Sequence, residues 1–192
     1  MRIKITFIIL IFIIFVMFFI VVYNHKLKTE EYISNQLHEH YAVLTHIVSD
    51  IRKYCDYDYF NTDELYIGSL LETARNFGQT LNSYENAYNK SQKSKDDNIW
   101  RIRSLIDNYY NSFVDAVSLI NEVDYRTLDM IKSDLEKWVA WIEENYIYTD
   151  RDGHYVYKIY TYDDMAESGL IDEFDLIPDS ENYPKSLQNP EE

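Results

Sequence analysis

The chain has 192 residues, 33 acidic against 18 basic side chains, 19 Tyr, four Gly, three Pro and one Cys. A formal charge of −15 argues against a nucleic-acid partner, because phosphate contacts need clustered Lys and Arg. One Cys leaves no intramolecular disulfide and no multi-Cys zinc site, and so few Gly and Pro disfavour a turn-dense sandwich or barrel.

From Phe7 to Val22 the chain reads as sixteen apolar residues without interruption. Ile5, Thr6 and Tyr23 extend this to nineteen, about 28 Å as a helix, the thickness of a bilayer core. A cleavable signal has a shorter apolar region and a small-residue cut site, whereas YNHKLKTEE follows here. Residues 1–28 therefore read as an uncleaved single-pass anchor with its flanks, running through Phe7, Ile14 and Val22. The run lacks Gly, Ala and Ser for close helix pairing and holds no ionisable residue for an ion path. Arg2 and Lys4 precede it and Lys26 and Lys28 follow, nearly a tie under the positive-inside rule. The short basic N-terminus favours an inside start, which puts the bulk of the chain outside the cytoplasm, periplasmic or extracellular.

Residues 29–147 carry helical periodicity. The first Gly is Gly68 and the first Pro is Pro178, so nothing obliges the anchor helix to stop at the membrane surface. Ile33, Leu37, His40, Leu44, Ile47, Ile51 and Tyr54 recur at alternating spacings of four and three, one stripe of a long first helix. A second helix is signalled after Asn61, with Glu64 at the capping-box position and a stripe of Ile67, Leu70, Ala74, Phe77, Leu81, Tyr84 and Tyr88. Beyond the polar stretch NKSQKSKDDN a third carries Ile99, Ile102, Ile106, Tyr109, Phe113, Ala116, Ile120 and Val123. A fourth, capped by Asp124, carries Leu128, Ile131, Leu135, Trp138 and Ile142. The fold expected is mostly all-α, a transmembrane helix leading into an antiparallel four-helix bundle with coiled-coil-like crossing. In an alternative, the first helix pairs with another chain and three helices form the body.

The remainder changes character. Asn145–Tyr162 holds six Tyr among Ile, Val and Thr on both sides of Asp152-Gly153, a hairpin signal. These rings could cover the end of the bundle, form a binding face or touch the membrane interface. Residues 148–177 read as the hairpin and a packed C-terminal segment, with one helical turn over Asp164–Ser168 ended by Gly169. Leu170, Ile171, Phe174, Leu176 and Ile177 could dock on the domain or bind a partner. Residues 178–192 read as an irregular acidic tail.

Chemical motifs are few. His38, His40 and His46 share a helix without the i, i+4 spacing of a zinc pair, and only His40 lies on the core stripe. The plainer reading is a buried, hydrogen-bonded imidazole; the sharper one is a ligand or pH-sensing role. Asp150–Gly153 resembles a fragment of a calcium loop, but aligning Gly153 places Tyr148 and Ile159 at the two essential ligand positions, so turn chemistry explains it better. No nucleophile has a sequence-adjacent base, no Gly-rich loop cradles phosphate, and no catalytic residue or cofactor is expected.

Topology gives the most useful constellation. A first helix rising from the membrane brings the link to the second helix to the far end. That link holds Asp56, Tyr57, Asp58, Tyr59, Asp63 and Glu64. The third-to-fourth link returns there with Glu122, Asp124 and Tyr125, while Lys90, Lys93 and Lys95 face the bilayer. Tyr gives contact area and charge gives steering, so this tip suits a cationic protein partner; the plainer reading is that it merely solvates and closes the core. The leading expectation is a membrane-anchored protein that binds another protein at an envelope, in an inhibitor, immunity-type or scaffold role. The alternatives are a structural or phage-encoded spacer that oligomerises through its first helix, and a ligand or cation sensor acting through a partner subunit.

Overall fold

The computed structural model describes residues 2–55, 63–91, 98–118 and 123–176. The chain is mostly helical. Helix α1 spans Arg2–Cys55, α2 Asp63–Lys90, α3 Asn98–Ser118 and α4 Tyr125–Asn145. Strands β1 (Ile147–Thr149) and β2 (Tyr155–Tyr157) form an antiparallel hairpin, followed by α5 (Tyr162–Glu167) and a 3-10 turn over Ile171–Glu173.

Uninterrupted by Gly or Pro, α1 runs about 80 Å at the helical rise. Its two halves differ. Leu10–Tyr23 is exposed at every position, and α1 is long and apolar enough at this end to cross a membrane. From Leu37 the same helix enters the folded body and buries Leu37, His40, Leu44, Ile47, Ile51 and Tyr54, the stripe read from spacing apart from Ile33, which is half-buried. This half of α1 packs within its own chain, against α2 and α4, and α3 contacts both of those helices.

Named contacts give the directions. Tyr32 lies beneath Lys90, His40 meets Thr80, and Asp50 meets Asn76, so numbers fall along α1 as they rise along α2. Tyr41 bonds Glu143 and Arg52 bonds Glu136, so α4 also runs opposite to α1. Arg103 bonds Glu85 while the Phe113 ring meets Phe77, giving α3 the opposite sense to α2.

The α4 stripe is buried as read, with Leu128, Ile131, Leu135, Trp138 and Ile142. Of the α3 stripe Ile102, Ile106, Tyr109, Phe113 and Ala116 are buried, while Ile99 is half-buried and Val123, also half-buried, lies beyond the end of the helix. Ile120 lies outside the described residues. The α2 stripe needs correction. Ile67 is exposed, and Leu70, Ala74 and Leu81 are only half-buried. The helix is turned so that Thr73, Asn76, Thr80 and Ser83 are buried beside Phe77, Tyr84, Ala87 and Tyr88. On α1, Asp50 meets Thr73 and Asn76 and His40 meets the Thr80 carbonyl, while Ser83 bonds within α2.

The segment after α4 is built from local hydrogen bonds. Asp150 accepts from the backbone N–H of Asp152 and of His154, both at 2.9 Å, and Gly153 takes φ +87°. This side-chain turn is the use of the Asp150–Gly153 motif. Thr161 and Asp164 form a reciprocal capping box on α5, which starts two residues before the expected turn. It ends with Gly169 at φ +81° and Leu170 N–H donating to the Met165 carbonyl at 3.1 Å, a left-handed C-terminal cap that strongly favours Gly. The chain then lays Leu170 and Phe174 into the core, so this segment docks on its own domain.

Candidate functional site

Of the residues expected at the far tip, Asp56, Tyr57, Asp58, Tyr59 and Glu122 lie outside the described residues, as does the expected cap Asn61. Asp63 and Glu64 open α2. The end of α1 shares a level with later α3 and the middle of α4, since the Tyr54 ring lies 5.9 Å from Phe113 and Arg52 Nη2 lies 2.6 Å from Glu136 Oε1. Asp124 is there, but its carboxylate is engaged. It accepts from Thr127 N–H at 3.1 Å and Thr127 Oγ1 at 2.7 Å, capping α4, and these bonds hold its pKa below the usual carboxylate range. Tyr125 is exposed at the first position of α4.

Sequence reasoning missed an apolar pair at this same end. Ile67 is 56% exposed and Leu71 64% exposed, one turn apart on the outer face of α2. Gly68 lies between them and faces open space. The signal was present in the sequence: a run with Ile67, Leu70 and Leu71 has more large apolar residues than one stripe can bury.

Between α1 and α2 lies a buried polar seam. Asp50 accepts from Lys53 Nζ at 2.8 Å and from Thr73 Oγ1 and Asn76 Nδ2, each at 3.3 Å. Nearly three turns nearer the apolar run, buried His40 contacts the Thr80 carbonyl through Nδ1 at 3.1 Å and the Tyr160 hydroxyl through Nε2 at 2.5 Å. A carbonyl can only accept, so Nδ1 carries the proton and Nε2 receives the Tyr160 O–H. Burial lowers the His40 pKa to about 4 against the raising effect of the Thr80 bond. Tyr84 completes the cluster by donating to the Tyr160 carbonyl at 2.6 Å. Both ring nitrogens of His40 are engaged, and the imidazole pins the strand leaving the hairpin to the α1–α2 seam. His38 instead meets the Tyr157 hydroxyl at 2.7 Å, and His46 is exposed, so the three histidines have separate surroundings.

A second polar site holds the C-terminal segment. Asp134 on α4 is fully buried and accepts from Tyr109 Oη at 3.0 Å. It also accepts from the backbone N–H of Asp175 at 2.6 Å and of Leu176 at 2.8 Å. Lys137 adds a bond to the Glu173 carbonyl at 2.5 Å and one to Asp175 at 3.0 Å. The acidic segment is thus gripped through its backbone by a carboxylate and through its charge by a lysine. Burial and the adjacent Asp134 push the Tyr109 pKa up, keeping it a donor.

At the end of the body nearer the apolar run the hairpin stands beside α1. Tyr157 N–H donates to Ser34 Oγ at 3.1 Å, and a cleft of about 970 Å³ opens between Leu27–Asn35 and the hairpin. Lys90 lies 5.8 Å from the centre of the Tyr32 ring, at this same end; Lys93 and Lys95 lie outside the described residues. Among the described residues no group of three or more His, Cys, Asp or Glu is placed to hold a metal. Comparison with protein-family models, with characterised proteins and with solved structures gave no match.

Proposed function

We propose that α1–α4 form an antiparallel bundle carried by a single-pass membrane helix with its N-terminus inside. The far end of this bundle binds a protein partner at the envelope, in an inhibitor, immunity-type or scaffold role. The observation that carries this reading is the exposed Ile67–Leu71 pair at the end of α2 that adjoins the acidic, Tyr-rich link. Exposed apolar residues rimmed by charge are the usual composition of a recognition surface. Docking of Leu170 and Phe174 on the domain favours this tip over the C-terminal segment as the contact.

The test uses the full-length chain in its membrane, with a photo-reactive residue replacing Tyr57 or Leu71. The expected result is one adduct with a different protein, lost in Asp56→Asn/Asp58→Asn. Adducts formed only between copies of this chain would replace this reading with the oligomeric spacer. A reporter fused after Glu192 tests the topology, and a cytoplasmic signal would overturn the extracytoplasmic placement.

A further inference from the structure

The hairpin tip has surroundings that neither the core nor the far end shares. Its residues Tyr148, Asp150, His154 and Tyr155 line one cleft with α1 residues from Leu27 through Glu30 and Glu31 to Asn35. Because Tyr160 meets His40 while Tyr157 meets Ser34, the chain descends toward Leu27 as the tip is approached. Along a continuous helix, Leu27 and Glu31 lie about 8 and 14 Å beyond Val22, the end of the apolar run. The headgroup layer is roughly 5–8 Å deep on each side of the hydrocarbon core, and spanning helices tilt by about 20° on average. The tip therefore hangs between the outer edge of that layer and about 6 Å beyond it, on one side of the stem and within reach of a tyrosine side chain.

Its composition fits that position. Tyr155 is 70% exposed and Tyr148 44% exposed. The pairing of Thr149 with Tyr155 and of Tyr148 with Val156 sets these two rings on opposite faces of the ribbon. Lys158 Nζ sits 4.5 Å from the centre of the Tyr148 ring, holding a cation beside an aromatic face. Charge is balanced here although the chain carries −15: Asp150 and Asp152 stand with Arg151 and Lys158, and Glu30 and Glu31 with Lys26 and Lys28. An acidic surface would be repelled by anionic lipid; a neutral one bearing exposed Tyr is what the interface accepts.

From these observations we infer that the β1–β2 hairpin is a second membrane contact, resting Tyr148 and Tyr155 on the lipid headgroups beside the anchor. With two points of attachment, the stem is fixed in tilt and rotation, and the far end keeps one orientation to the bilayer. The inference rests on the anchor reading.

The test is spin-label depth measurement on the full chain in phosphatidylcholine nanodiscs, in a Cys55→Ser background. Labels are placed through Tyr155→Cys and Arg151→Cys at the tip, Ile14→Cys in the apolar run and Leu71→Cys at the far end, with helicity confirmed for each. A relaxation agent attached to lipid headgroups should act several-fold more strongly at 155 and 151 than at 71. Equal, weak effects at 155, 151 and 71, with the label at 14 in the hydrocarbon, would overturn the hairpin contact and leave the anchor standing. A water-exposed label at 14 would overturn the anchor reading, and the hairpin contact with it.

Discussion

The α3–α4 side and the α1–α2 side of the molecule are built by different chemistry. On α3 and α4 the buried stripes are nearly all Ile, Leu, Phe, Tyr and Trp, and Asp134 is the buried carboxylate among them. Between α1 and α2 the buried row includes His40, Asp50, Thr73, Asn76, Thr80 and Ser83. Apolar packing is non-directional and gives most of the burial energy. Hydrogen-bonded seams contribute less on balance, but they penalise any other register, because each unpaired buried group costs its desolvation. The difference teaches that the apolar side holds the fold together while the polar seam determines how α2 is turned and where the hairpin strand docks.

The comparison can be broken most severely on the apolar side. Trp138 is completely buried and meets Phe174 and Tyr160, so Trp138→Ala should cost about 3–5 kcal/mol in chemical unfolding.

Next comes the protonation of the seam. Unfolded, His40 takes its proton near pH 6.5; folded, burial postpones this to about 4. Between those values the unfolded chain binds more protons, so the contribution is complete above pH 6.5 and is lost as pH falls toward 4. The amount is about 3 kcal/mol. Comparing the pH dependence of unfolding with that of His40→Leu separates this from titration of carboxylates. An unchanged slope in the variant would remove His40 as its source.

A smaller loss, about 2 kcal/mol, is expected for Asp134→Ala, which leaves the Tyr109 hydroxyl and two backbone N–H groups without their acceptor. Its distinguishing sign is faster proteolytic cleavage within 170–176, which Ile47→Ala in the α1 core at matched stability should not reproduce if Asp134 is a specific grip. The smallest effect has the opposite sign. Gly68 is exposed within α2 with open space where a Cβ would lie, so Gly68→Ala should stabilise by about 0.5–1 kcal/mol. Weaker partner capture despite that gain would place position 68 within the contact.

Much of this architecture was legible in the residue order. Spacings of three and four located the α1, α3 and α4 stripes, Asp124 announced its own capping role, and Asp152-Gly153 announced the hairpin. The α2 stripe failed for a definable reason. Periodicity weighs apolar side chains alone, and it cannot know that Asp50 waits across the interface for Thr73 and Asn76. Tyr148, Tyr155 and Tyr160 also look alike in the sequence, yet two are exposed and one is buried against His40.

By itself the sequence determined the apolar run, the absence of any break between that run and the body, the helical periods and the location of the negative charge. These depend on local composition and on the fixed geometry of a helix. Only the tertiary structure decided which face of α2 turns inward, that His40 and Asp134 are acceptors for distant segments, and that the hairpin comes to rest beside the stem. Such outcomes join residues up to 123 positions apart. Hydrogen-bond complementarity between elements acts only once packing has brought the partners within reach.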